Sequence, residues 1–97
     1  MKNYVLIATW EDSDGEIRGF EFVKEMETME GAKAFILDLV AEFLSEEGME
    51  NYTLRADGPS EYSLWEIGIP TLTVYRFRVE EKNEETLSFL KDHNIYL

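Results

Sequence analysis

The sequence predicts a single α+β domain over residues 1–97. Its expected form is a two-layer sandwich: an antiparallel sheet of four to five strands, covered by one long helix and a short C-terminal helix, in the order β-β-α-β-(β)-β-α. Three observations carry this. Residues 4–11 and 16–24 are strand-like and are joined by Asp12-Ser13-Asp14-Gly15, a hairpin signature. Residues 28–47 carry one apolar stripe at helical spacing. Residues 71–80 return to period-two alternation.

The elements follow in order. Tyr4 to Glu11 is rich in apolar and β-branched residues on both faces, which suits an inner strand. In the second strand, alternation puts Phe20 and Phe22 on one face with Arg18 and Lys24. Ile17, Gly19, Glu21 and Val23 fall on the other. Thr28 is placed to cap the long helix, with Glu30 in its first turn. Ala32, Phe35, Ile36, Leu39, Val40, Phe43 and Leu44 step by 3 and 1 along its inner side. Gly48 follows as the terminating residue.

Asn51 to Ala56 reads as a strand, with Tyr52, Leu54 and Ala56 on one face, ended by Asp57-Gly58-Pro59-Ser60. Residues 61–70 admit two readings. Ser60 could cap a short helical turn, or Ser63 to Ile69 could be a strand with Trp65, Ile67 and Ile69 together. In the strand over 71–80, Thr73, Tyr75, Phe77 and Val79 share one face, and Leu72, Val74, Arg76 and Arg78 the other. Asn83 caps a short helix to about His93, with Leu87 and Leu90 inward; residues 95–97 are placed to fold back onto the core.

Composition removes several chemistries. The chain has no Cys, so disulfides, thiolate metal sites and Cys nucleophiles are excluded. The most apolar run, Ala34 to Leu44, is interrupted by Asp38 and Glu42 and is short of the roughly 20 residues a membrane span needs. Nothing at the start reads as a signal peptide, and the cytoplasm is the expected location. Twenty-one acids face nine Lys and Arg, a formal −12. Residues 1–50 hold 13 acids and four bases, net −9; residues 51–97 hold eight and five, net −3. Such a surface repels nucleic acid and anionic lipid and attracts basic proteins. The competing explanation is solubility alone.

Trp10 to Glu21 superficially resembles a calcium loop, with Asp12, Asp14, Gly15, Ile17 and Glu21 at ligand-like spacing. Trp10 stands at the first ligand position, which it cannot fill, and both flanks alternate as strands, so the stretch is read as a hairpin and no metal is expected. His93 is the single histidine and has no marked Ser or second ligand; it suits a helix end. Glu46/Glu47, Glu80/Glu81 and Glu84/Glu85 are adjacent in sequence and therefore diverge, which makes them poor acid–base dyads. Glu46 and Glu47 stand at a helix C-terminus, where negative charge is unfavourable. No glycine-rich phosphate loop is present. Arg76 and Arg78 are expected to pair with acids on neighbouring strands. No cofactor and no enzymatic activity are expected.

Thr28-Met29-Glu30-Gly31-Ala32 after an opening hairpin resembles the first part of HicB-type antitoxin domains, though the proline-rich turn of that family is absent. In size and charge the chain is also similar to phage-encoded inhibitors of host defence, some of which mimic DNA. The leading expectation is a non-enzymatic module that binds a basic protein, concretely a nucleic-acid-binding defence protein, without contacting nucleic acid or membrane. Asp12, Asp14, Glu16, Glu30, Asp38, Glu42, Glu46 and Glu47 would supply the field. The alternative is a regulatory or assembly module, antitoxin-like or homo-oligomeric, that associates through an apolar sheet face or the segment Tyr62–Ile69. There Tyr62 and Trp65 would be the contact residues.

Overall fold

The computed structural model describes residues 1–12, 14–66 and 74–97. The strands are β1 (Tyr4–Glu11), β2 (Ile17–Met26), β3 (Tyr52–Gly58), β4 (Glu61–Glu66) and β5 (Val74–Glu81); the helices are α1 (Met29–Glu47) and α2 (Glu84–Asp92). All pairings are antiparallel and the spatial order is β2-β1-β5-β4-β3. β1 is an inner strand, as its two apolar faces require. Residues 61–66 resolve as strand, so the break at 57–60 is a tight hairpin in which Gly58 pairs with Glu61. The expected positions of Ile67 and Ile69, and of Thr71 to Thr73, lie outside the described residues.

The alternation of β1 builds two cores. Leu6 and Ala8 face α1 and pack with Ala32, Ile36, Val40, Leu64, Phe77 and Val79. Val5 and Ile7 face the other way and pack with Leu90, Phe20, Val23, Phe89 and Ile95. The two helices therefore cover opposite faces of the sheet. Fully burying a side chain such as Leu6, Ile7 or Ile36 contributes about 1.5–3 kcal/mol, so each helix is held chiefly by its inward stripe.

Capping sets the helix limits. Thr28 Oγ1 accepts the Gly31 N–H at 3.0 Å, and Asn83 Oδ1 accepts the Thr86 N–H at 2.9 Å. Gly48, at φ 95°, donates its N–H to the Leu44 carbonyl and ends α1. Asn94, at φ 62°, closes α2, and Ile95 returns to Leu90. Tyr96 and Leu97 remain exposed rather than folding back.

β2 departs from simple alternation. Ala8 pairs with Phe22 but Thr9 pairs with Phe20, leaving Glu21 as an extra residue. Phe22 consequently packs on the α1 side and Phe20 on the α2 side, which corrects the shared face expected from period two. A second irregularity, between the Trp10–Gly19 and Glu11–Ile17 pairs, leaves Arg18 extra. Both bulges lie on an edge strand, where they discourage further strand pairing.

Candidate functional site

α1 carries the acidic surface. Glu30, Ala34, Asp38, Glu42 and Glu46 recur every four residues and lie along one ridge of the helix, about 6 Å apart in rise. All four carboxylates are exposed, as is Glu47. Among the described residues none of these five forms an ion pair. Asp38/Glu42 and Glu42/Glu46 are like-charge i,i+4 pairs, each unfavourable by about 0.2–0.5 kcal/mol. The last turn has no basic residue, so Glu46 and Glu47 also oppose the helix dipole. The negative field at this end reaches Tyr52: burial first, then the charges of Glu66 and Glu47, push its phenol above its ordinary pKa.

The arginines lie elsewhere. On the α2 side of the sheet, β1, β5 and β4 place Thr9, Arg76 and Ser63 in one row. Glu11 accepts from Arg76 Nε at 3.2 Å, from Arg78 Nη1 at 2.8 Å and from Thr9 Oγ1 at 2.7 Å. Arg76 also reaches Asp57 and Glu61, each at 3.3 Å. The Glu11 side chain is 1% exposed. Burial opposes its ionisation, but the hydrogen bonds from Arg78 and Thr9 and the charges of Arg78 and Arg76 outweigh it and hold its pKa below the ordinary value. Arg76 and Arg78 thus pair with acids of neighbouring strands, as expected. Lys82 is paired with Glu25.

The hairpin loop is the third acidic region. Gly15, at φ 92°, closes it, with its N–H donated to the Asp12 carbonyl and the Asp12 N–H donated to that of Glu16. Asp12, Asp14 and Glu16 bring carboxylate oxygens within 4.8 Å of one another. Asp12 is taken by Arg18, whose Nε lies 2.7 Å from Oδ2 and whose Nη2 is also bonded there. That hydrogen bond holds the Asp12 carboxyl below its usual range. Glu21 is not near this trio in register: it lies on the β2 bulge beside Phe22, where the calcium spacing has no geometric counterpart.

A groove of about 410 Å³ opens between α1 and the sheet. Buried Leu64 and Phe77 floor it; Phe22, Leu39, Phe43 and Tyr75 wall it. Glu21, Glu42 and Glu46 line it as well, and all three are exposed. The bulge brings Glu21 to the α1 side next to Phe22, a position that alternation alone assigns to the opposite face. Alternation therefore leaves Glu21 out of the candidate acids, because the two-versus-one pairing that moves it leaves no mark in the local sequence.

Tyr62 and Trp65 belong to β4, not to a loop. Tyr62 is half-buried against the α1 core. Trp65 is on the other face, half-buried, with Nε1 donating to Ser63 Oγ at 2.8 Å and the Arg55 guanidinium 5.1 Å from its ring centre. The two are therefore not one contact patch. His93 caps α2 and stacks near Phe20 and Phe89, with Nδ1 3.0 Å from the Phe89 carbonyl oxygen. Among the described residues, no helix is long and apolar enough to cross a membrane. No protein-family model, curated protein or solved structure matches the chain significantly.

Proposed function

We propose that this chain is a non-enzymatic binding module whose acidic α1 face engages a basic protein. The observation that carries the reading is the ridge of α1: Glu30, Asp38, Glu42, Glu46 and Glu47 are exposed and without ion pairs among the described residues. Meanwhile Arg18, Arg76, Arg78 and Lys82 are engaged with other acids. Two like-charge pairs and two acids at the negative end of the helix together oppose folding by about 1–3 kcal/mol. Charge kept for solubility alone has no need to sit where it weakens the helix.

The concrete form is an inhibitor of a nucleic-acid-binding protein, with the row of carboxylates standing in for backbone phosphates. Phage-type inhibition of a host defence protein is one setting for it. A partner held by this face loses affinity steeply as salt rises, because exposed charges are screened within about 8–10 Å at physiological ionic strength. The test is to capture partners at low salt and measure their affinity between about 50 and 500 mM salt, a range set by that screening length. A partner whose affinity is flat across it would rule the reading out.

A further inference from the structure

The groove between α1 and the sheet combines two properties that solubility does not explain. Its lining is apolar and aromatic, and its mouth carries three carboxylates from two separate elements: Glu21 from the β2 bulge, Glu42 and Glu46 from α1. Its volume, about 410 Å³, falls in the range of pockets that receive ligands, roughly 300–1,000 Å³. We propose that this groove anchors a large apolar side chain of a basic partner segment, with Lys or Arg on either side of the anchor meeting Glu21, Glu42 and Glu46. The inference rests on the acidic-face reading and adds a specific seat to it.

Charge selects the occupant. A second copy of the chain would bring another formal −12 to the same mouth, and an anionic lipid headgroup would be repelled likewise. A wholly apolar ligand would leave three carboxylates facing it across a partly dehydrated rim, without compensation. An apolar anchor flanked by cations satisfies both parts: the anchor removes apolar surface from water, and the cations meet the acids at the edge, where they stay partly hydrated.

The test uses two labelled synthetic peptides and the full chain. One is Lys-Lys-Trp-Lys-Lys; the other has Ser in place of Trp, at equal charge. Binding is read by fluorescence anisotropy at low and high salt, and the contact region by backbone and side-chain amide shifts in a two-dimensional NMR spectrum. The Trp peptide is expected to bind at least ten-fold more tightly than the Ser peptide and to shift Leu39, Phe43 and Tyr75. Leu39→Trp, which fills the groove without altering charge, is expected to abolish that advantage; its fold is checked by circular dichroism. The wild-type shift map carries the test should that variant not fold.

Equal affinity for the two peptides overturns the groove inference and leaves the acidic-face reading standing. A Trp advantage with no salt dependence leaves only the apolar seat and overturns the cation contacts to Glu21, Glu42 and Glu46, and with them the acidic-face reading. Failure of both peptides to bind overturns both, as does a self-associated dimer that protects the groove residues.

Discussion

Arg76 of β5 meets Glu11 of β1 across 65 positions of sequence, with Nε 3.2 Å from Oε1. The same carboxylate holds Arg78 at 2.8 Å. Glu11→Ala would leave two partly buried guanidiniums short of a partner. Breaking a buried pair costs about 3–5 kcal/mol, but Arg76 keeps Asp57 and Glu61, and Arg78 keeps Glu61. The expected loss is therefore about 2 kcal/mol, below that buried-pair range because the arginines are partly hydrated and still paired. Urea unfolding measures it. A loss under about 0.5 kcal/mol, the level of ordinary surface changes, would mean the network is incidental.

The same carboxylate makes a pH prediction. The Glu11 pKa is lowered in the folded state, so the folded chain binds its proton less readily than the unfolded chain does. Its stabilisation is complete above the unfolded value, about 4.3, and is lost as pH falls through the lower folded value. Glu11→Gln should therefore flatten the decline in stability below about pH 4, by that linkage. Parallel wild-type and variant curves over that window would contradict the assignment.

Trp10 pairs with Gly19 across the β1–β2 ladder, and a Cβ added at Gly19 would lie 2.5 Å from Trp10 Nε1. Gly19→Ala should displace the indole, lower stability by about 1–2 kcal/mol and shift Trp emission to longer wavelength. Unchanged emission and stability would show that the ring does not rest on this glycine.

The α1 acids make the opposite prediction. Glu42→Gln removes both like-charge neighbours of that position, with Asp38 and with Glu46, and should raise stability by about 0.4–1 kcal/mol. Glu47→Lys removes charge that opposes the helix dipole and should raise it by a similar amount. Thermal unfolding of each variant checks this. A loss of stability in either would indicate a structural role for the acid and weaken the case for a binding role.

These outcomes bear on what the sequence discloses. The limits of β1 and α1, and both helix caps, are local properties: alternation, a 3-and-1 apolar step, and Thr28, Gly48 and Asn83 at the right places. They are legible without a structure. β4 is not, because Ser63 and Trp65 suit a turn as well as a strand, and pairing with β3 and β5 decides it. The bulges at Arg18 and Glu21 are set by partner strands, so the face of Phe20 and the groove position of Glu21 are not readable from β2 alone.

The Glu11 network was legible only in half. Arg76 and Arg78 alternate with apolar residues on one strand and so call for acids opposite them. Which acids answer depends on β1 and β5 becoming neighbours, a matter of topology. The acids of α1 are visible in sequence, but their lack of ion pairs among the described residues is not: it follows from where the arginines go.

Whether the α1 face or bulk charge holds the partner is decided by separating the position of charge from its amount. Glu42→Gln/Glu46→Gln/Glu47→Gln and Glu80→Gln/Glu81→Gln/Asp92→Asn each remove three acids, so both variants carry a formal −9 against the wild-type −12. The dissociation constant of each for the partner captured by the wild type is then compared at one ionic strength. At least ten-fold weaker binding is expected for the α1 variant and near wild-type binding for the other. Equal weakening in the two would contradict the acidic-face reading, because bulk charge rather than the α1 face would then hold the partner.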